Sequence, residues 1–173
     1  MNPFRLLFAA TLIVSSAGVA AQAPNDAQIA SIVMVANQVD IDAGHVAEAR
    51  ASSRDVKALA RQMITDHTGV NRQTGELVTK LGVVPQDNAT SQSLKKAGQD
   101  NLRRLNPLKG AAFDKAYIDH EVAYHQQVLD AIDKTLIPSA QNAELKALLV
   151  AVRPAFVGHL EHARQIQARL PNP

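Results

Sequence analysis

The sequence predicts an all-α domain: four long helices in two antiparallel hairpins, joined by one long crossover that carries a shorter helix of its own. Three observations predict it. Apolar residues recur at steps of three and four over long stretches. No segment alternates with the period of two that a half-buried strand needs. The connections between the helical stretches run short, long, short.

Residues 1–21 read as an export signal. Arg5 supplies the positive n-region, Leu6 to Val14 a short apolar run, and Ser15 to Ala23 a small-residue cleavage zone. A cut after Ala21, with Val19 two residues before it, is favoured over one after Ala23, because Pro24 would obstruct the peptidase there. The apolar run is too short to span a bilayer, and no later segment reaches about 18 uninterrupted apolar residues. The mature protein is therefore expected in the periplasm, with no transmembrane segment after signal removal.

The bundle is expected over residues 26–170. A first helix over roughly 26–50 and a second over 53–81 meet at Ala51-Ser52-Ser53. Ser52 or Ser53 suits the N-cap, and Asp55 in the first turn suits the helix dipole. Gly82 and then Pro85 close the second helix. A short helix spans Thr90 to Leu105, with Leu94, Leu102 and Leu105 inward, and Asn106-Pro107 stops it. A third long helix runs from about Ala111 to Thr135. Ile137-Pro138-Ser139 breaks the chain, and a fourth helix runs from Asn142 to Leu170, with a kink expected at Pro154. The tight turns make helices one and two, and three and four, antiparallel neighbours. The connection over 83–110 is long enough to travel the bundle's length, so helices two and three run parallel. One long crossover in a four-helix bundle is the ferritin-like arrangement.

Composition removes several function classes. The formal net charge of +2 includes Arg5 of the signal, so the mature chain is close to neutral, and only 3% of residues are aromatic. That is not the footprint of a nucleic-acid binder. The chain has no cysteine, which excludes zinc–thiolate and iron–sulfur sites and a thiol nucleophile. No serine–histidine–acid spacing, glycine-rich phosphate loop or nucleophile elbow is present. The run Lys95, Lys96, Arg103, Arg104 and Lys109 reads as a solvated face.

The informative residues are polar ones inside apolar stripes. At about 100° per residue, Asp40 lies in the arc of Ile29, Val33, Ala36, Ala43 and Ala47. His67 lies inside the stripe Val56, Ala60, Met63, Val70, Thr74, Leu77 and Leu81, with Asp66 on its edge. Glu121 and His125 share the face of Tyr117, Tyr124, Val128 and Ile132. His159 falls among Leu145, Leu149, Val152, Phe156, Leu160, Ala163 and Leu170. A core face has no packing reason to hold carboxylates and imidazoles, and burying them unpaired is costly. Two arrangements satisfy them. One is internal pairing, Asp40 with His67 and Glu121 with His159, which fixes register without net stability. The other is a first-row transition metal ion, for which imidazole nitrogen and carboxylate oxygen are usual ligands. Counting along the helices puts Asp40 and His67 about 5 Å apart in height. Glu121 comes within a turn of His159, and His125 about two turns away.

The stretch from Val56-Lys57-Ala58-Leu59-Ala60-Arg61-Gln62-Met63-Ile64-Thr65-Asp66-His67, with Phe113-Asp114, Tyr117, His125-Gln126, Pro154 and His159-Leu160, resembles a bacterial family of exported ferritin-like bundles catalogued as domain of unknown function 4142. The resemblance covers about residues 26–170. It implies a ferritin-like fold and an envelope location, and no assigned activity. Its motif carries over to Asp66, His67, His125 and His159. Asp40 stands where the family often has Glu, and Glu121 is outside the motif. Di-iron carboxylate enzymes of this fold need two Glu-x-x-His pairs and two further Glu. Here Ile64 precedes His67 by three residues, Phe156 precedes His159, and His159 precedes His162. The expectation is thus a non-catalytic periplasmic protein that binds a metal ion or small ligand. Asp40, His67, His125 and His159 would be the ligands, with Asp66 and Glu121 as additional candidates and Asp66 orienting an imidazole. The alternative is a structural or interaction protein of the envelope, with another envelope protein as partner. An oxidase-type enzyme is the third reading.

Overall fold

The computed structural model describes residues 23–171, and the expected signal and its cut after Ala21 lie outside them. All regular structure among the described residues is helical: α1 (Asp26–Arg50), α2 (Arg54–Leu81), α3 (Ala89–Leu105), α4 (Gly110–Ala131), a π-helical turn (Ile132–Leu136), a short α5 (Ile137–Ser139) and α6 (Ala143–Arg169). Side chains supply the caps. Asn25 and Gln28 form a capping box at the start of α1, and Ser53 caps α2. Asn88 accepts from two amides of α3, and Asn142 does the same for α6. These bonds satisfy amides that a helix start leaves open. Gly82, at φ 65°, ends α2 in the left-handed region that a side chain resists.

Long-range hydrogen bonds give the helix directions. Asp26, in the first turn of α1, accepts from the amides of Gln141 and Asn142 just before α6 (both 2.9 Å). The carboxylate of Asp114, in the first turns of α4, accepts from the amides of Ser52 and Ser53 (2.9 and 2.8 Å) and from the Ser52 hydroxyl. Arg169 at the end of α6 pairs with Asp55 at the start of α2. Helices α2 and α4 therefore run parallel, and α1 and α6 run opposite to both. Helix α3 starts beside the start of α1, where Asn88 donates to the Gln28 carbonyl. It ends beside the end of α1, where Arg50 donates to the carbonyls of Asn106 and Leu108. The crossover thus travels the length of α1. Gly98 permits the close approach: a Cβ there would lie 2.8 and 2.9 Å from the two γ carbons of Val39.

Two expectations change. The third long helix does not stop before Ile137: the chain winds through the π turn and α5 to Ser139, so the break falls at residues 140–142. Pro138 sits in α5, directly after the π turn. Helix α6 continues through Pro154, as expected. In α3 the inward face is Ser91, Gly98, Asn101 and Leu105, with Leu94 and Leu102 only half-buried. The basic run on α3 is indeed solvated, Lys95 pairing with Asp87, and Lys96 and Arg103 with Asp100.

The apolar core comes in two parts. One gathers Ile29, Val33, Leu129, Ile132, Leu149 and Phe156; the other gathers Ala47, Val56, Leu59, Met63, Phe113, Tyr117 and Ile166. Along α1, α2 and α4 the inward polar residues fall between these parts, and on α6 they fall where the two meet.

Candidate metal centre

Four helices each bring polar side chains to one buried level. Asn37 and Asp40 come from α1, His67 from α2, Glu121 and His125 from α4, and His159 from α6, all at most 2% exposed. The three imidazoles form a triangle with ring centroids 5.3, 5.3 and 5.6 Å apart. Phe156 stacks flat on His67 at 5.0 Å and 12°. One nitrogen from each of the three histidines, and separately one ligand atom each of Asp40, Glu121 and His125, lie within 4.8 Å of one another.

His125 thus stands beside His159, not two turns from it. The longer α4–α5 segment explains the difference. His125 lies 14 residues before Ser139 and His159 lies 16 residues after Ala143, a height difference of roughly 3 Å. Moving the break by a few residues brought the two rings level.

Of the two expected internal pairs, the structure has the first and not the second. Asp40 Oδ2 lies 2.6 Å from His67 Nε2 and 3.6 Å from His125 Nε2. Glu121 does not partner His159; its carboxylate lies 3.5 Å from His125. The partner of His159 is Asp66, with Nε2 to Oδ2 at 2.8 Å. Asp66 faces partly outward, its side chain 40% exposed, so the helix-edge position anticipated its reach to both water and the buried ring.

Each imidazole is tied from behind, and the ties fix which nitrogen carries the proton. Asn71 donates to the backbone carbonyl of Met34 (3.2 Å), which can only accept. Asn71 Oδ1 then accepts from Asn37 Nδ2 (3.0 Å), so Asn37 presents Oδ1 to His67 Nδ1 at 2.6 Å. His67 Nδ1–H is therefore the donor, and its Nε2 faces the cluster, 2.6 Å from Asp40 Oδ2. His125 Nδ1 donates to the Glu121 carbonyl at 3.0 Å, leaving its Nε2 bare. His159 Nε2 donates to Asp66, leaving Nδ1 bare. A backbone carbonyl behind His125 and a carboxylate behind His159 are usual ways of orienting a metal-ligating histidine, and the Asn37 amide oxygen takes that place behind His67. Asn37 and Asn71 were not among the sequence candidates. The available signal was Asn37 one turn before Asp40 on the same face.

Nine buried side-chain polar atoms among the described residues lack a directed hydrogen bond, and eight belong here. They are both oxygens of Asp40 and of Glu121, the Tyr117 hydroxyl, and one nitrogen each of His67, His125 and His159. Buried polar atoms are otherwise almost always satisfied. The short Asp40–His67 contact is itself poorly directed, since both atoms stay in that set.

Charge is distributed unequally. Burial alone would raise the Asp40 carboxyl, but the charge and hydrogen bond of His67, then His125 and Glu121, hold it far below the usual range. Burial first, and then the Asp40 carboxylate, push Glu121 well above it. One charged and one neutral carboxyl is the expected outcome for two carboxyls sharing a site. Burial lowers His125 to about 4 against the pull of Asp40, and it lowers His159 against its bond to Asp66. Both rings are thus neutral near pH 7 and able to offer a lone pair.

Tyr117 and Tyr124 line the same level. Tyr124 OH donates to the Ala36 carbonyl at 2.8 Å, and burial followed by nearby Glu121 and Asp40 raises Tyr117 well above 10. A groove between α2 and α6, lined by Thr65, Asp66, Gly69, Ala151 and Ala155, leads from the surface to Asp66.

Fold and site together define an all-helical protein with a buried histidine–carboxylate centre. The model of the family described as Domain of unknown function (DUF4142) matches residues 14–166, and the chain belongs to that family. No curated protein matches the chain, and neither does any solved structure. No helix among the described residues is long and apolar enough to cross a membrane.

Proposed function

We propose that the chain is an exported, ferritin-like bundle that binds one first-row divalent transition metal ion through His67, His125, His159 and Asp40. The observation that carries this reading is the set of three bare imidazole nitrogens facing one carboxylate, each ring anchored from behind. Three imidazole nitrogens and one carboxylate oxygen, with no thiolate, suit zinc, copper, iron, nickel or cobalt better than magnesium or calcium. Asp66 holds His159 and reaches the α2–α6 groove, which supplies an entry path. The parallel α2 and α4, joined by a crossover that follows α1, support the ferritin-like reading. Export rests on the amino-terminal pattern alone. The absence of Glu-x-x-His pairs argues against di-iron oxidase chemistry.

A second reading has its own observation. Asp40 lies against His67 closely enough for an ion pair, and such pairs alone would make this a structural or interaction protein of the envelope. Elemental analysis of untagged mature protein, beside His67→Ala and His159→Ala, separates the two. Near-stoichiometric metal, lost in both folded variants, is the expected result. No metal after exposure to iron, copper, zinc, cobalt and manganese would overturn it in favour of internal pairing.

A further inference from the structure

A partly open cavity of about 100 Å³ adjoins the centre on the side of His67, lined by residues of α1, α3, α4, the π turn and α6. Its wall is almost wholly apolar, formed chiefly by Ile32, Val128, Ile132, Leu136, Val152 and Phe156. Two of the polar residues on the wall have their groups engaged elsewhere, and two more, Thr90 and Gln127, are exposed. Asn37 is spent on Asn71 and His67, and the Tyr124 hydroxyl on the Ala36 carbonyl. The lining leaves an ion or a sugar few partners, and a water needs two to four. An apolar cavity about half as large again, lined by Leu, Ile and Phe in another protein, stays dry and binds benzene or xenon.

The π turn supplies an independent observation. Its widened winding over Ile132–Leu136 places both terminal residues in the cavity wall. Such insertions into α-helices are frequent at functional sites.

We propose that this cavity is a binding site for a small, uncharged, apolar molecule of a few non-hydrogen atoms, held beside the His67 ring. The proposal goes beyond metal binding and does not depend on it. A guest there would lie against the His67 ring and the two end residues of the π turn.

The test is methyl NMR of the chelator-treated mature protein under increasing xenon pressure. The expected result is saturable shifts confined to Ile132, Leu136 and Val128, abolished in Ala131→Phe, which fills the cavity. In Leu136→Ala, which enlarges it, benzene should bind as well. Shifts that scatter over the surface without saturating would overturn the proposal, as would shifts undiminished in a folded Ala131→Phe. If Ala131→Phe does not fold, Leu136→Ala decides: benzene binding at the same methyls supports the site, and its absence overturns it. Because the protein is metal-free throughout, none of these results bears on the metal reading.

Discussion

The carbonyl of Met34 sets the tautomer of His67 from two asparagines away, through Asn71 and Asn37. Removing the middle link should therefore be felt at the metal. Asn37→Ala is expected to lower cobalt or zinc affinity by about 10–100-fold, measured by competition against a chromophoric chelator. Unchanged affinity would mean that the relay does not orient the ring. The titrating residues make a second prediction, for metal-free protein. The folded value of His125 is lowered from 6.5 to about 4, so the unfolded chain takes up the proton first and stability falls with pH across that window. The full difference is about 3 kcal/mol. His159 and half-buried His120, lowered by burial and then by Arg104, act in the same direction. Glu121 opposes them: its value is raised from 4.5, so its contribution is complete below 4.5 and is lost as pH rises. Glu121→Gln should therefore show a steeper loss of stability between pH 6.5 and 4.5 than the parent, followed by thermal unfolding. Parallel pH profiles would show that Glu121 is not held neutral.

At the scale of the element, two contacts hold the helices in register. Asp114 stitches the α1–α2 turn to α4 with three hydrogen bonds, and it is buried. Asp114→Ala leaves two backbone amides without their acceptor and should cost about 2–4 kcal/mol in chemical denaturation. A loss under 1 kcal/mol would mean that water replaces the carboxylate at no penalty. Gly98 is the second contact. A methyl there meets both γ carbons of Val39, a β-branched side chain with little freedom to turn aside. Gly98→Ala should destabilise by about 1–3 kcal/mol, whereas Gly69→Ala, which meets nothing within 4 Å, should stabilise by up to about 1 kcal/mol through helix propensity. Equal effects at the two positions would remove the close-packing argument for α3.

For the whole molecule, the centre and the cavity are both departures from a well-filled core. A void of about 100 Å³ costs roughly 2 kcal/mol at the usual penalty per unit volume. The eight undirected polar atoms add a desolvation cost that an ion would relieve. Metal at about 100 times its dissociation constant should then stabilise the fold by about 2.7 kcal/mol. For a chain of this size that is a rise in Tm of roughly 5–10 °C, seen by calorimetry with and without chelator. No rise in the parent, or an equal rise in His67→Ala, would place the ion elsewhere.

The amino-acid sequence by itself determined the helices, the travelling crossover and the inward faces of Asp40, His67, Glu121, His125 and His159. These follow from local periodicity and connection length, which each segment carries on its own. Helix ends were less legible. The π turn hides in a sequence that reads as ordinary helix until it breaks at Pro138, and the height of His125 depended on it. Partnership was decided only by tertiary structure. Whether His159 faces Asp66 or Glu121 depends on the rotation and height of α6 against α2 and α4, set by packing between residues some 90 positions apart. The Asn71–Asn37 relay arises the same way, because a hydrogen bond needs an agreement of a few tenths of an ångström that no periodicity specifies.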